Sequence, residues 1–564
     1  MKKKQIALSL TIIGVILFGF SMGFIYYNDR ALSKGEPIEF TANETDVLRG
    51  TYYEGSKDAG IILLEGFGSD QITCKSVTSE FVNLGFHVMT FDFSGHGRSL
   101  GTLTFDNAQT DRLANQTIAA KELFKTLSGL DYADILLWGH SMGARVALQS
   151  QTYDPNPIGG LILFGVQVTL GQNIQSDFFT GVNDSELEWV QSLDSDNPGA
   201  DILIVTGTLD DILPPSAANA LFDKLGGETA TYNRELVVLD WLFHNYEVYS
   251  PDAIAIAMNW SVEELGLEAD PGYRANIALM RKVFWGTSLI GLFLMTICGG
   301  IYLGDRSRKD KSQKDTNGAE EGERENDLLD IVRIESMRDF IVEKLKGWLI
   351  AIPFIIGIMA GLSIVPGGVP VFNLIYVAFI GGYGILYLIR YKKGKVGGLR
   401  GRLDSLIPEE DKTFNKGVFY GLVTAFLLGF FAVLFANSGI YFVFPLNNRL
   451  IWLFISAFFT VPGYLIAQLE MKILNGTSES KPKHLLILNL IGLFPFFFYL
   501  ILFLILRSYS GMLGGVQGVI IMLFVISSGY LVSKISKNLL LTAIFQSILI
   551  QMLVLPQGVL FGIF

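Results

Sequence analysis

The fold is decided by residues 134–149, which read Asp-Ile-Leu-Leu-Trp-Gly-His-Ser-Met-Gly-Ala-Arg-Val-Ala-Leu-Gln. This stretch predicts a short apolar strand, a sharp turn and a helix. The turn is a G-x-S-x-G pattern in which Gly139 and Gly143 flank Ser141, and larger side chains there would collide with the neighbouring strand and helix. Ser141 is therefore the candidate nucleophile.

Working outward, further apolar strands end in loops that carry polar residues. Two precede Ser141, in residues 60–68 and 87–99, and two follow it, in residues 201–207 and 235–240. Strands that alternate with helices predict a doubly wound, mostly parallel sheet. Ser141, an aspartate and His244 then appear in that order along the chain, each just beyond a strand.

Together these motifs resemble the α/β-hydrolase superfamily, closest to its monoacylglycerol-lipase and serine-aminopeptidase-like branch. The resemblance covers residues 45–265, about 40% of the chain. It rests on Phe-Asp-Phe-Ser-Gly-His-Gly-Arg-Ser at 91–99, the glycine-flanked serine, Gly-Thr-Leu-Asp-Asp-Ile-Leu-Pro at 207–214, and His244.

The resemblance implies three catalytic roles. Ser141 is the nucleophile, His244 is the general base, and an aspartate orients His244 and stabilises its charged form. The family spacing falls on Asp210, and the adjacent Asp211 remains the alternative. Of the five histidines in the chain, only His244 and His484 follow both the serine and the acid, and His484 lies in a loop predicted to be cytoplasmic.

The resemblance also implies two backbone donors for the oxyanion that forms during catalysis. One is Met142, the residue after the nucleophile. The other is Phe67, in the loop after an early strand. Glu65 stands where the family usually has histidine, and we expect it to alter loop packing or substrate preference.

Residues 166–200 are long enough to form a small cap over the site. They contain six acidic residues and no lysine or arginine. The acids either repel anionic substrates or form a solvated face. The apolar residues either line the pocket or pack the cap onto the core; they are Phe178, Phe179, Leu187 and Trp189.

Charge and composition exclude several classes of protein. Half of the 564 residues are hydrophobic and 17% are charged, so the chain is neither wholly soluble nor disordered. Residues 28–281 hold 36 acidic and 14 basic residues, which excludes a nucleic-acid surface. Two cysteines are too few for a disulfide framework or a cysteine zinc site, and we expect no cofactor or metal.

Apolar runs predict an all-α transmembrane bundle with about nine spans. They are Ile6–Tyr27, Val283–Leu303, Trp348–Val365, Val371–Ile389, Gly417–Phe435, Leu450–Gln468, Leu485–Leu506, Leu513–Val532 and Leu539–Ile563. The first run exceeds a signal-peptide core and is interpreted as a retained anchor, with a cleaved signal as the alternative.

The predicted organisation has five parts. An anchor (1–27) precedes the hydrolase domain (28–281) and a second span (282–303). A charged linker follows (304–347) and ends in an amphipathic helix or a plain lead-in to the next span. A seven-span membrane domain (348–564) completes the chain.

Basic residues set the predicted orientation. With the N-terminus inside, the cytoplasmic loops between the later spans hold 13 lysines and arginines and the opposite loops hold two. This predicts an integral membrane protein, of the plasma membrane, with an extracytoplasmic hydrolase domain. The pair of spans around 366–370 has a re-entrant hairpin as its alternative.

Three functions remain open. The first is a membrane-bound serine hydrolase that cleaves an ester, thioester or amide of a small-molecule, lipid or peptide substrate, with membrane lipids as partners. The second is a transporter or export protein with a cargo-processing hydrolase, although the spans have no charged residue in their interior. The third is a non-catalytic binding module. The sequence names no protein partner.

Overall fold

The structure is a computed structural model. It describes residues 2–103, 107–166, 168, 187–267, 272–303, 338, 341–342, 344–346, 349, 353, 369–370, 376–377, 379–385, 413–443, 449–476, 494–506, 508–555 and 560–561. Most of the predicted cap, almost all of the linker and almost all of the predicted span Trp348–Val365 lie outside the described residues.

An eight-stranded sheet forms the centre of the globular part. Its strands are β1 (Glu36–Ala42), β2 (Asp46–Tyr53), β3 (Gly60–Leu64), β4 (His87–Asp92), β5 (Ile135–His140), β6 (Gly160–Phe164), β7 (Asp201–Gly207) and β8 (Arg234–Leu239). Their order is β1-β2-β4-β3-β5-β6-β7-β8. The pairs β1–β2 and β2–β4 are antiparallel and the remaining pairs are parallel. The predicted mostly parallel sheet is confirmed.

Helices cover both faces of the sheet. The globular part contains Lys75–Leu84, Asn107–Ser128, Met142–Tyr153, Glu188–Gln191, Pro215–Lys224 and Pro251–Glu264. Every residue of β5 is buried, and its alternate side chains enter two cores. Leu137 packs with Phe124 on one face, and Trp138 packs with Phe81 on the other. Burial on both faces explains why the central strands are continuous apolar runs.

A region of long apolar helices accompanies this domain. Its helices are Lys2–Asn28, Asn276–Phe293, Lys416–Asn437, Arg449–Gly476, Phe494–Ile505, Tyr509–Ser536 and Leu539–Val554. Within the described residues, five helical segments are long and apolar enough to cross a membrane. They coincide with five predicted spans, and the total of nine stays a prediction.

The last predicted span is wrong in extent. Its helix ends at Val554, and Leu560–Phe561 instead form a short strand that pairs with Val369–Pro370. Pro556 follows the end of the helix closely, and it has no backbone N–H with which to continue the helical hydrogen bonds.

The first two predicted spans pack directly against each other. Gly14 and Gly291 touch backbone to backbone, since a Cβ atom on either would come within 2.7 Å of the other's carbonyl oxygen. Ser21 and Thr287 share a hydrogen bond of 2.8 Å along the same contact. Small residues and interhelical hydroxyl bonds are typical of helices that associate in membranes.

Candidate active site

Ser141 occupies a strained turn between β5 and the helix Met142–Tyr153. Its φ is +55° and its ψ is −117°, which is uncommon for a residue with a side chain. A Cβ atom on Gly139 would lie 2.4 Å from the backbone of Gly143, and one on Gly143 would lie 2.4 Å from the carbonyl oxygen of Leu64. Both glycines are therefore needed for the turn to pack against its neighbours.

The structure brings Ser141, His244 and Asp210 together. Ser141 Oγ lies 2.9 Å from His244 Nε2, and His244 Nδ1 lies 2.7 Å from Asp210 Oδ2. The carboxylate only accepts, so Nδ1 carries the proton and leaves Nε2 free to accept from the serine hydroxyl. This is the geometry in which a serine can pass its proton to a histidine.

Asp210 and Asp211 have different environments. Asp210 is buried, and its Oδ1 accepts from the backbone N–H groups of Ile212 (3.0 Å) and Leu213 (2.7 Å). Asp211 instead accepts a hydrogen bond from Ser508, in the helical region. The geometry thus favours Asp210 as the partner of His244, as the spacing predicted.

Two further buried residues support His244, and the sequence motifs did not identify either of them. His140 Nε2 donates to the backbone oxygen of His244 at 3.0 Å, and burial lowers the pKa of His140 to about 4. Glu247 Oε2 lies 3.6 Å from His140 Nε2 and 4.0 Å from His244 Nδ1. Burial raises the pKa of the Glu247 carboxyl well above its usual value. His140 is consequently neutral near pH 7, and burial favours the protonated form of Glu247.

Among the described residues, this cluster also has a spacing of ligand atoms that could hold a metal ion. Ligand atoms of His140, His244 and Glu247 lie within 4.8 Å of one another. However, both ring nitrogens of His244 already contact Ser141 and Asp210. A metal ion would have to displace those hydrogen bonds, so the arrangement suits proton transfer better than metal binding.

The two predicted oxyanion donors belong to segments that adjoin the serine. Met142 is the first residue of its helix, where a backbone N–H has no partner within the helix. Gly66 adjoins Ser141, since a Cβ atom on Gly66 would lie 3.3 Å from the Cβ atom of Ser141. Phe67 is the next residue and packs at the edge of the core. The role of both donors stays a prediction.

Glu65 has a packing role. It is fully buried, and its Oε1 accepts a 2.7 Å hydrogen bond from the backbone N–H of Phe93. This bond joins the loop after β3 to the loop after β4. Burial, with a smaller contribution from nearby Asp92, raises the pKa of Glu65 well above its usual value.

The described end of the predicted cap packs onto the domain. Trp189 is buried in the core, and the Arg145 guanidinium lies 5.6 Å from the centre of its ring. The acids of this segment that the structure describes, namely Glu188, Asp194 and Asp196, are exposed. Among the described cap residues, Trp189 therefore packs the cap onto the core and the acids form a solvated face. Phe178 and Phe179 lie outside the described residues.

Comparison with known proteins supports this fold. Residues 55–193 match the family model of serine aminopeptidases, S33. No curated protein sequence matches the chain.

Three solved structures illustrate the similarity. The α/β hydrolase GrgF from Penicillium is 16% identical, with 41% of this chain and 99% of that chain covered and a TM-score of 0.35. The Pyrococcus furiosus esterase Pf2001 is 18% identical (42% and 92% covered, TM-score 0.33). A Rhodococcus esterase is 13% identical (40% and 98% covered, TM-score 0.32).

The sheet order and the serine turn give the globular part of this chain the α/β-hydrolase fold, in which residues 55–193 are similar to the serine aminopeptidase S33 family, and this part is joined to a region of long apolar helices.

Proposed function

We propose that this protein is a membrane-bound serine hydrolase that cleaves an ester, thioester or amide bond. The observation that carries the proposal is the continuous hydrogen-bonded set of Ser141, His244 and Asp210 at a strained turn. An intact set of this kind also argues against a non-catalytic binding module.

The mechanism follows from these contacts. Ser141 Oγ attacks the carbonyl carbon while its proton passes to His244 Nε2, and Asp210 stabilises the resulting imidazolium. The backbone N–H groups of Met142 and Phe67 stabilise the oxyanion. His244 then protonates the leaving group, and a water molecule activated by His244 releases the acyl group from Ser141.

Contacts with the helical region flank the serine turn on one side. Asp70, in the loop after β3, accepts a 2.7 Å hydrogen bond from the backbone N–H of Phe442. Arg449 donates to the carbonyl oxygens of Gly95 (2.6 Å) and Gly97 (2.5 Å), in the loop after β4. The loops after β3 and β4 are thereby joined to the helices.

Similar contacts lie on the other side of the turn. Ser508 bonds Asp211, in the loop after β7, and the ring centres of Tyr509 and Phe243 are 6.2 Å apart. Since β5 lies between β3 and β7 in the sheet, the carboxyl edge that bears Ser141 faces the helical region. We therefore propose that the substrate reaches Ser141 along this junction, as an amphiphile whose apolar part lies among the helices.

Exposed apolar side chains on the same edge support a membrane-side substrate. Trp241, between β8 and His244, is 82% exposed, and Ile212, after β7, is 38% exposed. Tryptophan has an apolar body and a polar N–H group, a combination that suits the membrane–water interface. We propose an extracytoplasmic position for the domain, supported by the distribution of basic residues in the sequence.

The test uses the full chain in lipid nanodiscs with two substrates, a glycerolipid ester in the bilayer and a short soluble p-nitrophenyl ester. Ser141→Ala should lose both activities. Trp241→Ala should lower activity on the lipid ester several-fold more than on the soluble ester. The matched control is Tyr232→Ala, an exposed aromatic residue just before β8, at the opposite edge of the sheet.

Full activity in Ser141→Ala would contradict the serine mechanism. Equal effects of Trp241→Ala on both esters would contradict the membrane-side substrate while leaving the serine mechanism intact.

A further inference from the structure

A cavity lies apart from the triad, where the first apolar helix meets the globular domain. It has a volume of about 390 Å³, which is within the usual range for small-ligand sites. Its walls come from the end of the helix Lys2–Asn28 and the turn after it, from β2 and β4, and from the loops after β3 and β4. The helix Lys75–Leu84 and Phe442 of the helical region complete them. None of the three triad residues lines it.

The cavity is electropositive within an acidic domain. Of the 14 basic residues in 28–281, three line it: Arg30, Lys75 and Arg98. Of the 36 acidic residues, only Asp29 does. Asp29 is already paired with Arg281 and lies 3.3 Å from Lys75. The two arginines of the lining therefore leave a net positive charge that suits an anion.

Arg98 is held in place for such a contact. Its guanidinium lies 3.7 Å from the centre of the Phe442 ring, and its backbone N–H donates to Asp92 at 2.8 Å. Its buried Nε atom has no hydrogen-bond partner among the described residues. A guanidinium that is fixed by stacking and retains an unused donor is well suited to bind a phosphate oxygen.

The position of the cavity indicates the source of the anion. Tyr26, in the last turn of the first apolar helix, forms part of the wall. If that helix crosses the membrane, as proposed above, its end lies at the level of the lipid headgroups. The tyrosine rings in the wall suit the same depth.

We propose that this cavity binds the phosphate of an anionic glycerophospholipid. The site is separate from the triad, so it depends on the proposed membrane position of the first helix and not on the proposed catalytic activity. The lipid stabilises the junction between the globular domain and the helices, because the residues that bind it come from both.

The test measures the thermal unfolding temperature of the detergent-solubilised full chain with added phosphatidylglycerol, phosphatidylcholine or inorganic phosphate. A ligand that binds only the folded state raises this temperature. Phosphatidylglycerol should raise it by several degrees, and the other two additions should not. Arg30→Gln/Arg98→Gln should lose the increase, whereas the control Arg274→Gln, an exposed arginine outside the cavity, should keep it.

The single variant Arg30→Gln guards against misfolding of the double variant, because Arg30 is exposed. It should need about tenfold more phosphatidylglycerol for the same increase. An unchanged response in both arginine variants would overturn the proposal. An equal increase with inorganic phosphate would overturn the lipid as the source of the anion.

Discussion

Ser508 donates a hydrogen bond to Asp211, with 2.7 Å between Oγ and Oδ2, across the junction between the helical region and the hydrolase domain. The preceding residue, Asp210, points its carboxylate to His244 at 2.7 Å. Asp210 thus contacts the candidate catalytic histidine, whereas the adjacent Asp211 contacts the helical region.

This separation predicts unequal effects of neutralising the two acids. Asp210→Asn should lower kcat/KM on a soluble p-nitrophenyl ester by about 10² to 10⁴-fold, because the imidazolium loses its counter-charge. Asp211→Asn keeps an acceptor for Ser508 and should change kcat/KM by less than about threefold. The reverse order would assign the acid to Asp211, and two small effects would contradict both assignments.

Arg449 is predicted to support the site from the helical region. Its guanidinium bonds the carbonyl oxygens of Gly95 and Gly97, and the ring of His96 between them lies 6.4 Å from that of Phe67, a predicted oxyanion donor. Arg449→Met should lower both the unfolding temperature and kcat, because two buried carbonyl groups lose their donor.

Arg449→Lys should have an intermediate effect, since lysine keeps the charge but not the forked geometry. Lys416→Met, at an exposed helix start, is the matched control. Wild-type unfolding and turnover in Arg449→Met would show that this contact does not support the site.

The raised pKa of Glu65 predicts a pH-dependent difference in stability between the wild type and Glu65→Gln. Because its pKa is raised in the folded state, its contribution to stability is fully present below the ordinary pKa near 4.5 and is lost as pH rises through the folded pKa. Glu65→Gln keeps an acceptor for Phe93 and cannot ionise. Its unfolding temperature should exceed that of the wild type by a margin that grows above pH 5. A margin that shrinks with pH would contradict a protonated Glu65.

The proposed orientation predicts which parts of the chain a protease can reach. Protease added to intact cells should remove the hydrolase domain and spare an epitope tag at Asn317, in the predicted cytoplasmic linker. The reason is the excess of basic residues in the predicted cytoplasmic loops. Cleavage of the tag in intact cells, or a hydrolase domain accessible only after lysis, would reverse the orientation.

The sequence predicts local motifs of the site better than its supporting contacts. Ser141 was predictable because a strand, a glycine-flanked turn and a helix are consecutive in the chain. Glu247 was not, because its carboxyl approaches His140 and His244 only through the packing of loops from different strands. The shared junction with the helices was also hidden, since the bond between Asp211 and Ser508 joins residues 297 positions apart.

The apolar runs show the limits of composition as a predictor. Leu539–Ile563 has the composition of a span, yet its helix ends at Val554. Leu560 instead exchanges backbone hydrogen bonds with the loop after β4, accepting from Leu103 at 2.8 Å and donating to Gly95 at 3.1 Å. The proline at 556 was visible in the sequence, but the pairing of Leu560 with a distant loop was not.

The most direct test of the central claim is labelling of the full chain with a fluorophosphonate probe, followed by peptide mapping of the modified residue. We expect a single adduct on Ser141, formed rapidly by the wild type and absent in both Ser141→Ala and heat-unfolded protein. A wild-type protein that is folded and unlabelled, or one labelled at another residue while Ser141 stays unmodified, would contradict Ser141 as the nucleophile.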